Sequence, residues 1–192
     1  MTEINSLIGY DFDGVLCDTM PCFVRHWKDK YDFTVADVET RTFNLDFFPE
    51  YNSKNAHDDI AESINTYNQY CYPHTFAMEI VREIANRLNQ VPIIITSRPE
   101  VNKEITEAWL QHWLGIPYLL IMIDGKSKAD SIAEQEGMIY FVEDRYRTVH
   151  SISHLVEKVY MPIRVWNTGR ELKAENIIPV GILVDEYEDM YE

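Results

Sequence analysis

Cysteine, positive charge and long apolar runs are all scarce in this chain, and each scarcity excludes something. Its three cysteines, Cys17, Cys22 and Cys71, make neither an even disulfide framework nor a Cys-x-x-Cys metal pair. Reduced thiols in a cytoplasmic protein are the simpler expectation. Lys and Arg number 17 against 32 Asp and Glu, a net charge of −15. A field of that sign repels polyanions, so no partnership with polymeric nucleic acid is expected. It leaves room for a small anionic substrate held by a few local cations and a metal. No apolar run approaches bilayer-spanning length, and no basic region followed by a long apolar stretch opens the chain. Neither a membrane partner nor a signal peptide is expected. The glycine-rich Walker loop is missing too, so phosphate is not cradled as in P-loop enzymes. The six histidines form no ligand pattern.

What the chain does have is a run, Leu7-Ile8-Gly9-Tyr10-Asp11-Phe12-Asp13-Gly14-Val15-Leu16, that organises the rest. The apolar start reads as a short buried strand stopped by a turn signal. Strand side chains alternate, so Asp11 and Asp13 point the same way if the backbone stays extended. Two carboxylates at the end of a buried strand are costly unless protonated, hydrogen-bonded or metal-bound. At 192 residues the chain suits one good-sized core, or one core with an inserted subdomain.

Thr19-Met20-Pro21 supplies a capping hydroxyl and an early Pro, predicting a helix that carries Phe23, Val24 and Trp27 and ends before Tyr31. The stretch to Ser53 is irregular and aromatic, with Phe43, Phe47, Phe48 and Tyr51. Helices are expected over Asp58 to Tyr70 and Thr75 to Asn89, the latter with Phe76, Ile80, Ile84 and Leu88 on one face. Strands follow over 91–96, Tyr118 to Ile123 (read as buried), Met138 to Val142 and Lys158 to Trp166, where Pro162 suggests an edge position. Helices are expected between them over 102–114 and 129–136, and around Val149, Ile152 and Val156. The alternation predicts a three-layer α/β/α domain with a parallel sheet, residues 1–16 and 75–192, and a small helical cap at 17–74.

Parallel strands bring their carboxyl ends to one rim. That rim would collect Asp11 and Asp13, Thr96 and Ser97, a lysine (Lys126 or Lys128), and Glu143 with Asp144. Carboxylates gathered from distant parts of the chain repel one another unless a cation sits among them. An all-oxygen set favours a hard ion, and Mg²⁺ is the one expected. The inventory is that of a phosphoryl-transfer site.

Asp11-Phe12-Asp13-Gly14-Val15, Ile95-Thr96-Ser97-Arg98, a lysine and Glu143-Asp144 resemble the four ordered motifs of the haloacid dehalogenase superfamily. The Asp-Gly-Val and Thr-Ser-Arg-Pro wording is most similar to its cytosolic 5′(3′)-deoxyribonucleotidase-like branch. The resemblance implies a Mg²⁺-dependent phosphomonoester hydrolase. In it Asp11 is the nucleophile that forms an aspartyl-phosphate, and Asp13 is the general acid and base. It further implies metal ligation by Asp11, the Asp13 backbone carbonyl and Asp144, and phosphate binding by Thr96, Ser97 and Lys128. Ser97 as a plain turn residue and Lys126 as the phosphate lysine remain open, and Glu143 falls to a water-mediated or outer role. Arg98, Arg145 and His26 are read as surface or structural residues. The substrate implied is a small phosphorylated metabolite, such as a nucleoside monophosphate. Alternatives are another phosphoester or a non-catalytic binding module, and a homodimer is compatible with either.

Overall fold

The computed structural model describes residues 7–31, 56–74, 76–123, 126–164 and 166–182. Six parallel strands form one sheet in the order β5-β4-β1-β6-β7-β8. They are β1 (Leu7–Tyr10), β4 (Ile93–Thr96), β5 (Leu119–Met122), β6 (Met138–Val142), β7 (Lys158–Ile163) and β8 (Ile177–Ile182). The chain leaves β1 toward β4 and β5, then returns to the other side of β1 to lay down β6, β7 and β8. The strand order reverses at β1, which places its carboxyl end in the crevice where such sheets bind ligands. Tyr10, Ile94, Trp109 and Leu110 belong to one apolar core; Ile93, Ile95, Phe141, Ile152 and Val159 belong to a second. Among the described residues, no helix is long and apolar enough to cross a membrane.

Helices α1 (Met20–Tyr31) and α2 (Ala56–Tyr67) follow the first strand, with a one-turn 3₁₀ helix at Asn68–Tyr70. The Asp18 carboxylate accepts the Met20 N–H, so the first cap bond comes from Asp18 rather than from the expected hydroxyl of Thr19. Residues 32–55, with Phe43, Phe47, Phe48 and Tyr51, lie outside the described residues. Phe23, Trp27 and Ile64 are buried in the same cluster as Tyr10, Phe12 and Trp109. A two-stranded antiparallel ladder pairs β2 (Cys17–Asp18) with β3 (Tyr72–Pro73), bringing these two distant stretches side by side.

Four sequence expectations need correction. β7 is internal, not an edge strand: β6 pairs with it only as far as Tyr160, so Pro162 lies past the end of β6 and removes no bond from that ladder. β8 was not anticipated, because Pro179 and Gly181 interrupt its apolar run; it is the edge strand, where a Pro is tolerated. β5, expected to be buried, is the opposite edge, and Leu119 is 45% exposed. In α3 (Ala77–Leu88) the buried stripe is Met78, Val81 and Ala85, while Phe76 and Ile80 are 64% and 53% exposed. Phe76, Ile80 and Ile84 instead line an apolar groove with Tyr140, Tyr160 and Val180.

The remaining helices, α4 (Lys103–Trp113), α5 (Lys128–Ala133) and α6 (Tyr146–Ile152), differ from expectation chiefly at their ends. Val156 lies beyond α6, although it is buried in the same core as Val149 and Ile152.

Candidate active site

Asp11 sits one residue past β1, and its N–H still bonds the Val142 carbonyl at 2.8 Å. It is 7% exposed, and its Oδ1 accepts from the Phe12 N–H (2.7 Å) and from Lys128 Nζ (2.8 Å). No described residue donates to its other oxygen. Lys128 is the first residue of α5, whose N-cap Ser127 accepts the Asp130 N–H. Its ammonium also reaches Glu143 Oε2 at 2.6 Å, and the side chain is buried. Burial opposes its charge, yet Asp11 and Glu143 outweigh that and raise its pKa above the ordinary lysine value. Lys126 is exposed, so of the two expected lysines it is Lys128 that meets the carboxylates.

Glu143 and Asp144 follow β6. Glu143 is fully buried, with Oε1 accepting the Arg145 N–H at 2.9 Å while Oε2 takes Lys128. Asp144 Oδ2 accepts from the Trp166 indole N–H at 2.7 Å, and no described residue donates to its Oδ1. Oxygens of Asp11, Glu143 and Asp144 all lie within 4.8 Å of one another. Burial, the like charge of Glu143 and that of Asp13 lift the Asp11 pKa well above its usual range, against the pull of Lys128. Burial and Asp11 push Asp144 up to about 7, and burial raises Glu143 as well. Three buried carboxylates thus share one ammonium, a deficit of positive charge at the point where the chain offers open oxygens.

Gly14 makes this approach possible. Its φ of +77° is a conformation that L side chains rarely adopt, and a Cβ there would stand 2.2 Å from Asp144 Oδ2.

Asp13 stands apart from the trio. Its carboxylate is gripped by Arg98, with Nε at 3.0 Å from Oδ2 and Nη2 at 2.8 Å from Oδ1. Arg98 is almost wholly buried, held by the Thr106 hydroxyl at 3.1 Å and with its guanidinium carbon 4.3 Å from the Phe12 ring centroid. The Asp13 side chain keeps 26% of its surface exposed. Thr96 is fully buried at the end of β4, where its hydroxyl accepts the Arg98 N–H at 3.1 Å.

A cavity of about 120 Å³ opens over these groups. Asp11, Asp13, Ser97, Lys128, Glu143 and Asp144 line it, together with Arg98, Arg145 and Trp166. Met20, Phe23, Trp27 and Ile60 form an apolar wall, with Thr19 and Thr148 beside them. Ser97, which is exposed, lines the cavity, whereas the buried Thr96 does not. Tyr67 does not line it either: its hydroxyl is bonded to Asp29. His26 is buried on α1 beside Asp59 and Glu62, where Lys30 already supplies the cation.

No family model matches the sequence, and no curated protein does. Solved structures do match. CbbY from Rhodobacter sphaeroides, in complex with phosphate, is 14% identical, with 90% of this chain and 92% of that one covered and a TM-score of 0.63. A family IA, variant 3 haloacid dehalogenase hydrolase from Entamoeba histolytica is 17% identical, over 91% and 92%, with a TM-score of 0.64. A hydrolase from Pseudomonas syringae is 13% identical, over 86% of each chain, with a TM-score of 0.60. The fold is haloacid dehalogenase-like. At these identities the likeness concerns the fold, and the chemistry rests on the residues at the rim.

Sequence reasoning missed three contributors to this rim. Arg98 was read as surface or structural, although it stands two residues past Thr96 where the rim logic applies. Trp166 and Asn167 follow β7, and the same logic extended by one strand would have found them. The Asn167 side-chain amide bonds the Asp144 carbonyl at 2.7 Å and the Pro162 carbonyl at 2.9 Å.

Proposed function

We propose that the chain is a Mg²⁺-dependent phosphomonoester hydrolase that works through an aspartyl-phosphate on Asp11. The observation that carries the reading is the convergence of Asp11, Glu143 and Asp144 around one ammonium, with an open oxygen on both Asp11 and Asp144.

The residues fit the metal. Oxygens of Asp11, Glu143 and Asp144 lie within 4.8 Å of one another, and these buried carboxylates are hard oxygen donors of the kind that would hold such an ion. Its charge would also lower the raised pKa values of Asp11 and Asp144, keeping the nucleophile ionised. Asp11, the Asp13 backbone carbonyl and Asp144 are the proposed ligands, with Glu143 anchoring Lys128 beside them. Bound there, Mg²⁺ supplies charge neutralisation and orientation of the phosphate oxygens.

The chain's own groups do the rest. The open Asp11 oxygen attacks phosphorus, the bond from phosphorus to the ester oxygen breaks, and Asp13 gives its proton to that leaving oxygen. Asp13 then takes a proton from water as the water attacks phosphorus, the Asp11–phosphate bond breaks, and inorganic phosphate leaves. Arg98 aims the Asp13 carboxylate and stabilises it once the proton is gone. Lys128, in contact with Asp11, and Ser97 both line the cavity and would hold phosphate oxygens.

The proposed substrate is a small phosphorylated metabolite, and a nucleoside monophosphate suits the wall best. Phe23 and Trp27 offer rings there, stacked 5.5 Å apart, with Met20 and Ile60 beside them. A sugar would seek more hydroxyl and amide partners than Thr19 and Thr148 supply. The test is phosphate release from a panel of nucleoside monophosphates and sugar phosphates, with p-nitrophenyl phosphate as the unspecific reference. The reading expects Mg²⁺-dependent release, lost in Asp11→Asn, and the highest kcat/KM on a nucleotide. Release that continues unabated in chelator or in Asp11→Asn refutes it. A sugar phosphate at the top of the panel refutes the nucleotide alone.

A further inference from the structure

We propose that Trp166 is a positioning residue that restricts Asp144 to one-oxygen ligation and so makes the site select Mg²⁺ over Ca²⁺. The inference rests on the metal reading above. Asp144 is held from three directions. Its backbone carbonyl is fixed by Asn167, which is 1% exposed and braced by the Pro162 carbonyl and the Arg164 N–H. Its Oδ2 takes the Trp166 indole N–H at 2.7 Å. The same Oδ2 lies against the backbone of Gly14, where no Cβ would fit. What remains for a cation is Oδ1 alone.

That restriction matters because the two ions differ in what they ask of a carboxylate. Mg²⁺ takes six ligands at short, regular distances and is served by single oxygens. Ca²⁺ takes six to eight at longer distances, and often gains them by binding both oxygens of one carboxylate. An indole N–H is a donor only, so it cannot itself become a ligand and compete for the ion. By occupying Oδ2 it removes the two-oxygen mode that would favour the larger ion. Partners that orient ligands in this way typically affect metal affinity by roughly 10–100-fold when removed.

The experiment measures equilibrium binding of Mg²⁺ and of Ca²⁺ to the full chain by isothermal titration calorimetry, with no substrate present. Trp166→Phe keeps a ring and removes the N–H. The wild-type chain is expected to bind Mg²⁺ more tightly than Ca²⁺. In the Phe variant the ratio of the two affinities should shift toward Ca²⁺ by about tenfold or more. A ratio unchanged in the folded variant overturns the proposal, even if both affinities fall together, since that is what a merely structural Trp would give. If the Phe chain does not fold, site-specific benzothienylalanine at 166, isosteric with Trp but lacking the N–H, takes its place under the same criterion. Wild-type protein that binds neither ion overturns the metal reading itself, and this inference with it.

Discussion

Replacing Asp144 by Asn should stabilise the metal-free protein at neutral and alkaline pH, although it removes a proposed ligand. Asp144 is 6% exposed, and burial with the nearby Asp11 carboxylate lifts its pKa from 3.8 to about 7. A carboxyl raised in this way keeps a proton in the native state that the unfolded chain has already released. Between the two values the unfolded state binds fewer protons, so stability falls as pH rises and the loss is complete above pH 7. The gap corresponds to at most roughly 4 kcal/mol. For a chain of this size that is on the order of 8–16 °C in Tm. Asn removes the charge, and its side-chain carbonyl can still accept the Trp166 N–H. Urea denaturation in EDTA at pH 5 and pH 8 separates the two chains: the variant should lead by roughly 1.5–2 kcal/mol at pH 5, widening to roughly 4 kcal/mol at pH 8. Adding Mg²⁺ at about a hundred times its Kd should return roughly 2.7 kcal/mol to the wild type and little to the variant. A variant less stable than wild type in EDTA at pH 8 would refute the reasoning. It would mean that Trp166, Lys128 and Arg164 more than offset the burial of the charge.

Arg98→Met should cost about 2–4 kcal/mol and most of the turnover, because it removes the Asp13 partner and the contacts to Thr106 and Phe12; equilibrium unfolding and a steady-state assay read the two losses. Gly14→Ala combines a φ of +77° with a Cβ that would stand 2.2 Å from Asp144 Oδ2, so calorimetry should find Mg²⁺ binding weakened at least tenfold. Normal binding by that variant would contradict the geometry around Asp144. Trp27→Leu should raise KM for a nucleoside monophosphate far more than for p-nitrophenyl phosphate. Equal losses on both substrates would assign the ring to the core instead.

The sheet was legible wherever one apolar run ended cleanly in a polar pair. β1, β4 and β6 lie side by side at the centre, so their runs are continuous and their ends carry Asp11, Thr96 and Glu143. β8 escaped because an edge strand tolerates Pro179 and Gly181, residues that read as breaks in a central strand. The apolar row of Phe76, Ile80 and Ile84 was correctly periodic but pointed to the wrong face. Periodicity says which residues share a face and not what lies opposite it. Within the site, residue types foretold the carboxylates and the lysine but not the pairing of Asp13 with Arg98. A buried guanidinium and a surface one look alike in sequence, and only the fold shows that residues 85 positions apart meet.

The central claim is that Asp11 carries the phosphoryl group, and the direct test is to catch it there. p-Nitrophenolate leaves without needing a proton, so Asp13→Asn should still be phosphorylated by p-nitrophenyl phosphate while the second half of the reaction stalls for want of a base. Acid quenching after a single turnover in Mg²⁺, followed by mass spectrometry of the peptide containing Asp11, should find one phosphoryl group on that residue. A rapid quench of the wild-type chain should show the same adduct at lower occupancy. Turnover by the wild type with no adduct on Asp11 in either chain, or with the adduct on another residue, would contradict the account.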